Sequence, residues 1–309
     1  MANLIRTSVL LVAMTALMLV IGQLLGGNQG MVIALILAGV MNFVSYWYSD
    51  KIVLKMYQAR EIKLEDDPDL YGIVSRLAQR AGLPMPKLFI IPQDTPNAFA
   101  TGRNPDHAVV AVTKGLLNLL DEQEITGVLA HELAHVKNRD ILIGSIAATM
   151  AGAIMVLASM ARWGAIFGGG RSSDDENGSG IIGLIVLSII APVAAMIIQM
   201  AISRSREYLA DKTGAQVSGN PEGLARALEK LGAYSKRLPM QSNPSTAHIF
   251  TVSPLSGSSL MTLFSTHPPL ENRIVMLRRG SGTGDKTSVS TPREQNRQSQ
   301  AEDFWERLR

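Results

Sequence analysis

One short pattern in the sequence has residue types and spacing that could carry out chemistry: His131-Glu132-Leu133-Ala134-His135. Residues four apart lie on one face of an α-helix, about one turn apart, so both imidazoles could reach a single metal ion. Glu132, next to the first histidine, could then act on a water molecule rather than on the ion. The alternative is a pair of helix histidines with ordinary polar contacts. The chain has only five histidines, and two of them in this frame favour the metal site.

A catalytic zinc site normally has three protein ligands and one open position, so a third ligand is needed. The longer pattern H-E-x-x-H-x-x-G-x-x-H fails, because Asn138 and Ile141 occupy its Gly and last His positions. The leading candidate is Glu207, which directly follows one apolar segment, as the histidine pair directly precedes another. Two adjacent membrane helices would bring both to the same surface. Weaker candidates are Asp140, His248 and His267.

The roles of these residues predict hydrolysis of a peptide bond without a covalent intermediate. Zinc would lower the pKa of a bound water to about 7 and polarise the scissile carbonyl. Glu132 would take the proton of the water and later give one to the departing amine. Asp211, one helical turn after Glu207, could orient a ligand histidine or assist proton transfer. The chain has no cysteine and no serine in a G-x-S-x-G elbow, which leaves nucleophilic alternatives little support.

Four apolar segments must position these residues, and they predict a membrane protein. Hydrophobic residues make up 47% of the 309 residues and charged residues only 18%, below the roughly 25% of soluble domains. A membrane-spanning helix needs about 20 apolar residues. Buried helices of a large soluble core, or a cleaved signal peptide, fit four such segments less well. The predicted spans are about 8–26 and 31–48, joined by a polar turn at 26–30, then 141–161 and 181–202.

The distribution of Lys and Arg predicts the orientation of these spans. Basic residues collect before the first span, in 50–140 and in 203–309, whereas the loop 162–180 has Arg162 and Arg171 against three acidic residues. Cytoplasmic loops carry the excess of Lys and Arg, so we expect both termini and the active site on the cytoplasmic side of an inner or plasma membrane. The net charge of +3 is explained by these residues and is too weak to indicate nucleic-acid binding.

The chain divides into five predicted parts. Residues 1–49 and 141–202 each form two spans, 50–140 and 203–280 form cytoplasmic protease segments, and 281–309 is a disordered tail. In the first protease segment we expect an amphipathic helix over 63–82 and strands near 87–91, 97–101 and 108–112. Asp121 and Glu124 form a capping box that starts the H-E-x-x-H helix, which we expect to continue into the third span. Helices are also expected at 222–236 and 269–279, with a long loop at 238–260.

Over about residues 1–278 the chain resembles the HtpX-type heat-shock membrane zinc proteases, which are related to the CAAX-prenyl endopeptidases. The likeness rests on the spans together with Asn97–Gly102, His131–His135, Glu207–Asp211 and Thr266–Ile274. The resemblance implies a mainly α, four-span membrane protein with a cytoplasmic, gluzincin-like α+β domain and a small β-sheet. It implies one Zn²⁺ per chain on His131, His135 and Glu207, with Glu132 as catalytic base. It also implies proteolytic quality control of damaged or misassembled membrane proteins during stress.

Two matched segments keep alternative interpretations. The residues Asn97, Ala98, Phe99, Ala100 and Thr101 could be an edge strand that binds substrate through its main chain, or an ordinary strand of a small sheet. His267 and Arg273 could support the zinc ligands, or could belong to a loop-to-helix junction.

Two rival functions are a CAAX-type processing protease for prenylated proteins and a non-catalytic membrane scaffold that binds zinc. The expected partners are protein or peptide substrates, chiefly membrane proteins. The sequence leaves open whether the chain forms an oligomer or associates with other membrane quality-control proteases.

Overall fold

The computed structural model describes residues 2–146, 149, 204–237 and 268–280. These residues are mainly helical and contain one mixed sheet of four strands. Most of the predicted third span 141–161, the fourth span 181–202, the loops 162–180 and 238–260 and the tail 281–309 lie outside the described residues.

The first helix, α1 (Ala2–Met56), contains a chain reversal. The Asn42 side-chain amide donates to Thr15 Oγ1 at 2.9 Å, although 27 residues of straight helix would separate them by about 40 Å. Gly27 lies between them with φ of 57°, and a Cβ on Gly22 would come 2.5 Å from the carbonyl oxygen of Gly30. The two arms therefore pack backbone to backbone, and the chain reverses close to the predicted turn at 26–30.

Among the described residues, one helical stretch is long and apolar enough to cross a membrane: Gly27–Met56, which contains the predicted second span. Only 17% of its most apolar window is buried within the protein, so its apolar side chains face outward as lipid contact requires. The apolar stretch Thr7–Val20 in the first arm falls short of spanning length.

The four strands are β1 (Arg60–Ile62), β2 (Lys87–Ile91), β3 (Ala98–Thr101) and β4 (Val109–Thr113), in the spatial order β1-β2-β4-β3. β2 and β4 run parallel, while β1 and β3 are antiparallel to their neighbours. The predicted strands β2, β3 and β4 are confirmed to within one residue. The sequence did not reveal β1, whose three residues are too few to show an alternating pattern. β3 lies at one edge of the sheet.

Helix α2 (Pro68–Ala81) begins later than the predicted residue 63. Asp67 caps its N-terminus by accepting from the amide of Leu70, and Pro68 occupies the first helical position, where it needs no intrahelical partner. Gly82 ends the helix in the left-handed conformation, at φ of 69°. A short helix that the sequence did not indicate, α3 (Lys114–Leu119), follows β4.

Helix α4 (Glu122–Lys137) carries the H-E-x-x-H motif and begins with the predicted Asp121–Glu124 capping box. The expectation that it continues into the third span is wrong. The helix ends at Lys137, Arg139 adopts a positive φ of 57°, and helical structure resumes at 141–146. The break turns Asp140 back toward the last turn of α4, where its amide donates to the carbonyl oxygen of His135 at 3.2 Å.

Three further helices follow, α5 (Arg204–Ser218), α6 (Pro221–Arg237) and α7 (Leu270–Gly280); α5 and α6 pack against α4, and α7 packs against α6 and α5. Two glycines allow close approach of their backbones. A Cβ on Gly127 would lie 2.4 Å from the amide nitrogen of Leu224 in α6, and one on Gly214 in α5 would lie 2.9 Å from that of His131. Helix α4 is thus held centrally, with α2 and β3 also in contact with it.

The sheet has a core on each side. On one face a large apolar cluster joins α2, α4 and α6 to residues such as Leu88 and Val112. On the other face Val53 and Leu54, at the end of α1, pack against Phe99 of β3. Strand β3 is therefore fixed between the end of the membrane-like helix and α4.

Candidate metal and catalytic site

The described residues bring three potential metal ligands together: His131 and His135 on α4 and Glu207 in the first turn of α5. His131 Nε2 lies 3.2 Å from His135 Nε2 and 3.7 Å from Glu207 Oε2, and His135 Nε2 lies 3.6 Å from Glu207 Oε1. Sequence reasoning had offered Glu207 among four candidates, and α5 packed on α4 is what places its carboxylate at both imidazoles.

These spacings fit a tetrahedral metal ion. Ligand atoms 2.0–2.1 Å from such an ion lie about 3.4 Å apart, close to the three separations observed. Two imidazole nitrogens and one carboxylate are also the donor set of hydrolytic zinc sites with an open fourth position. The residues present therefore fit a catalytic divalent cation such as zinc.

Each histidine of the three-donor cluster is oriented by a carboxylate at its other ring nitrogen. Asp211, one turn after Glu207, lies 2.9 Å from His131 Nδ1. Asp140 lies 3.1 Å from His135 Nδ1 through both of its oxygens. Such contacts fix the ring orientation and leave Nε2 to face the other two donors. Asp140, a competing ligand in the sequence reasoning, lies at the far side of its histidine from the three-donor cluster.

The guanidinium of Arg273, on α7, is fully buried beside this cluster. Its Nε and Nη2 donate to the two oxygens of Asp211 at 2.8 and 2.7 Å, a bidentate pair. Nη1 lies 3.7 Å from Glu207 Oε2. Arg273 thereby links α7 to the carboxylate that orients His131. The predicted neighbour His267 and the weaker ligand candidate His248 lie outside the described residues.

The electrostatics of the cluster favour positive charge. Burial alone would lower the pKa of His135, but the charge and hydrogen bonds of Asp140 outweigh it and raise that pKa to about 10. Burial also opposes protonation of His131, yet its hydrogen bonds to Asp211 and Glu207 hold its pKa above the usual value. Although burial opposes ionisation of Asp211, the charge of Arg273 lowers the pKa of Asp211 to about 2. Carboxylates that stabilise a proton on these imidazoles would also stabilise a divalent cation bound there instead of the proton.

Glu132 is held at the site by strand β3. Its Oε2 accepts a hydrogen bond from the backbone amide of Ala100 at 3.0 Å. Burial raises the pKa of Glu132, and the nearby histidines only partly oppose this. A raised carboxyl pKa suits a group that must take up and release a proton near neutral pH.

The strand segment predicted from Asn97, Ala98, Phe99 and Ala100 thus lies against α4, with Asn97 just before β3. Sequence reasoning missed that Asp140 orients His135. Residues five apart do not lie on the same face of a continuous helix, so only the break after Lys137 brings Asp140 to His135. The acidic residue just beyond the motif was the one available signal.

A histidine pair on one helix, a glutamate from a second helix and a buried glutamate beside them define a metal-dependent hydrolase of the H-E-x-x-H class. Comparison with known sequences identifies the protein family within this class. The profile of peptidase family M48 matches residues 64–280, more than two thirds of the chain. The chain belongs to peptidase family M48, and it is a metalloprotease.

Curated relatives match most or all of the chain. It is 78% identical to a "Protease HtpX homolog" of Desulforapulum autotrophicum, over the whole of both chains. A protein of the same name from Desulfatibacillum aliphaticivorans is 63% identical over the whole of both chains, and one from Aquifex aeolicus is 56% identical over 84% of this chain and 87% of the relative. The recognition of an HtpX-type protease from sequence is thereby confirmed.

A solved structure shows the same fold. The crystal structure of Ste24p from S. mikatae aligns with a TM-score of 0.52 and 21% identity, covering 89% of this chain. The chain spans 65% of the length of that protein.

Proposed function

We propose that the chain is a membrane-embedded zinc endopeptidase that hydrolyses peptide bonds of misfolded or damaged membrane proteins and of unfolded proteins, as part of quality control under stress. The observation that carries this proposal is the convergence of His131, His135 and Glu207 beside the buried carboxylate of Glu132. One zinc ion per chain would be held by the two imidazoles and the Glu207 carboxylate.

The proposed chemistry assigns each step to residues of this chain. When bound, zinc supplies Lewis acidity that polarises the scissile carbonyl and acidifies a water molecule. Glu132 takes the proton of the attacking water and passes one to the departing amine. The Ala100 amide holds the Glu132 carboxylate in place, and Asp211 and Asp140 keep the imidazoles turned toward the ion.

Strand β3 is proposed to bind the substrate main chain. The amide of Thr113 in β4 donates to the carbonyl oxygen of Asn97. In an antiparallel pair the backbone N–H and C=O groups of successive residues point alternately toward and away from the neighbouring strand. The backbone groups of Phe99 therefore also point toward β4, while those of Ala98 and Ala100 point away from it. Because the Ala100 amide already bonds Glu132, an extended peptide would pair along that edge through groups such as the carbonyl oxygen of Ala100, within reach of Glu132. Main-chain pairing accepts many side-chain sequences, as a quality-control protease requires.

The membrane arrangement is part of the same proposal: four spans, with both termini and the active site on the cytoplasmic side. It is supported by the apolar helix Gly27–Met56 and by Trp47 and Tyr48 near its end, where interfacial aromatic residues are enriched. Lys51 follows them, with its ammonium 5.3 Å from the centre of the Tyr48 ring. Arg103, in the loop after β3, stacks over Trp47 at 4.8 Å, which brings the substrate strand close to that interface.

The two rival functions receive less support. Prenyl-protein processing was suggested by the relation to CAAX endopeptidases, but the curated relatives at 53–78% identity carry the HtpX name, and the likeness to Ste24p extends to fold alone. A non-catalytic scaffold has no need of a buried glutamate beside the metal ligands, and membership of a peptidase family also disfavours it.

The test compares purified wild type with Glu132→Gln and with Glu122→Gln as the matched control, an exposed glutamate at the start of the same helix. We expect all three proteins to bind about one zinc per chain. Wild type and Glu122→Gln should cleave casein, and Glu132→Gln should be slower by at least a factor of about 10². Equal cleavage by Glu132→Gln and wild type would remove Glu132 from the mechanism.

A further inference from the structure

A buried hydrogen-bonded cluster fixes the end of strand β3 to the chain that follows α4. It consists of Thr101, Gly102 and Ser145. Thr101 Oγ1 lies 2.6 Å from Ser145 Oγ, and the amide of Gly102 donates to the same oxygen at 3.3 Å. Ser145 is 4% exposed and Thr101 3% exposed. These contacts join residues more than 40 positions apart in the sequence.

The direction of each hydrogen bond follows from the valence of a hydroxyl group. Ser145 has a single hydroxyl hydrogen, which it donates to the carbonyl oxygen of Ile141 at 2.8 Å. Its oxygen therefore accepts from both the Thr101 hydroxyl and the Gly102 amide, which uses its donor and both lone pairs. Removing the Ser145 hydroxyl would leave two buried donors without that acceptor, and removing the Thr101 hydroxyl would leave an empty acceptor site on Ser145.

The segment 140–145 thus contacts the site at both of its ends. Asp140 contacts the ring of His135, and Ser145 contacts the residue directly after Ala100, whose amide holds Glu132. Movement of Thr101 would move Ala100 with it, because the two are adjacent in one strand. The same segment begins the predicted third span.

We propose that Ser145 and Thr101 are positioning residues that hold the substrate strand β3 at its working distance from Glu132. The inference rests on the proposed function, in which substrate pairs along β3. Neither side chain touches reacting atoms. When this link is lost, β3 gains freedom that must be removed each time a substrate binds, so substrate binding weakens while the metal site is retained.

The experiment uses the full chain in detergent and an unmodified peptide substrate that the wild type cleaves. Thr101→Val keeps the shape of the side chain and removes its hydroxyl, while Thr101→Ser keeps the hydroxyl and is the matched control. We expect Thr101→Val to raise KM about three- to tenfold, with kcat per bound zinc within twofold of wild type. Thr101→Ser should stay within twofold of wild type in KM, and all proteins should retain their zinc.

A double-mutant cycle tests the link itself, and it remains informative if one variant folds poorly, because KM does not depend on the amount of active protein. Ser145→Ala should raise KM at least as much as Thr101→Val, and the double variant should be no worse than Ser145→Ala. Multiplicative effects of the two changes, an unchanged KM in Thr101→Val, or equal impairment by Thr101→Ser would overturn the inference. Absence of Glu132-dependent cleavage by the wild type would overturn the proposed function as well.

Discussion

The carboxylate of Asp211 offers a sharp test of how the metal ligands are held. Its Oδ1 contacts His131 Nδ1 and accepts from Arg273 Nη2, while its Oδ2 accepts from Arg273 Nε. Asp211→Asn keeps the shape but replaces one acceptor oxygen by an NH₂ donor and removes the negative charge. At least one contact then becomes donor against donor, and Arg273 loses its bidentate carboxylate partner while it remains 3.7 Å from Glu207.

The expected loss of zinc affinity follows from these contacts. Loss of a carboxylate that orients a ligand histidine typically lowers metal affinity 10- to 100-fold, or about 1.4–2.8 kcal/mol. We place Asp211→Asn near the upper limit, because the change also exposes the metal to the charge of Arg273. Asp140→Asn should lower zinc affinity about tenfold. Both oxygens of Asp140 contact one nitrogen of His135, and an amide side chain retains one of those oxygens.

Zinc affinity should be measured by competition with a chelating dye on the purified full chain, with Asp69→Asn as the control because Asp69 is exposed in the first turn of α2. The control should bind zinc as wild type does. An affinity of Asp211→Asn within twofold of wild type, or a larger loss in Asp140→Asn than in Asp211→Asn, would refute this reasoning.

Close packing, exposed ion pairs and metal dependence give three more expected results. Gly127→Ala should destabilise the fold by about 1–3 kcal/mol, because its Cβ would lie 2.4 Å from the amide nitrogen of Leu224, whereas Gly72→Ala, whose nearest neighbour is 3.4 Å away, should be neutral or slightly stabilising. Equal melting temperatures for the two variants would contradict the observed packing of α4 on α6. Arg278→Gln should leave the melting temperature nearly unchanged, because its ion pairs with Glu222 and Glu229 are both exposed, and a large drop that persists in 1 M salt would argue otherwise. Chelator should abolish casein cleavage and added zinc should restore it, so chelator-resistant cleavage would be evidence against a metal mechanism.

Local signals in the sequence were enough for much of the fold. The Asp121–Glu124 box marked the start of α4, the apolar run from Lys87 marked β2, and Pro221 marked α6. These features depend on residues a few positions apart, where capping chemistry and side-chain spacing decide the structure.

What the sequence could not reveal depends on contacts between distant residues or on unusual backbone conformations. The end of α4 requires a positive φ at Arg139, and an arginine there gives no sign of that conformation as a glycine would. The role of Asp140 follows from that break, and the link of Ser145 to Thr101 depends on how the chain returns to the sheet. The sequence left the third donor open among four residues, and the packing of α5 on α4 is what brings the carboxylate of one of them, Glu207, beside both imidazoles.

The central claim is that Glu207 completes a zinc site with His131 and His135. The most direct measurement is the zinc content and zinc affinity of wild type and Glu207→Gln, with Glu271→Gln, an exposed glutamate on α7, as the control. We expect about one zinc per chain in wild type and in the control, and at least a hundredfold loss of affinity in Glu207→Gln. Wild-type zinc affinity in Glu207→Gln would contradict the account.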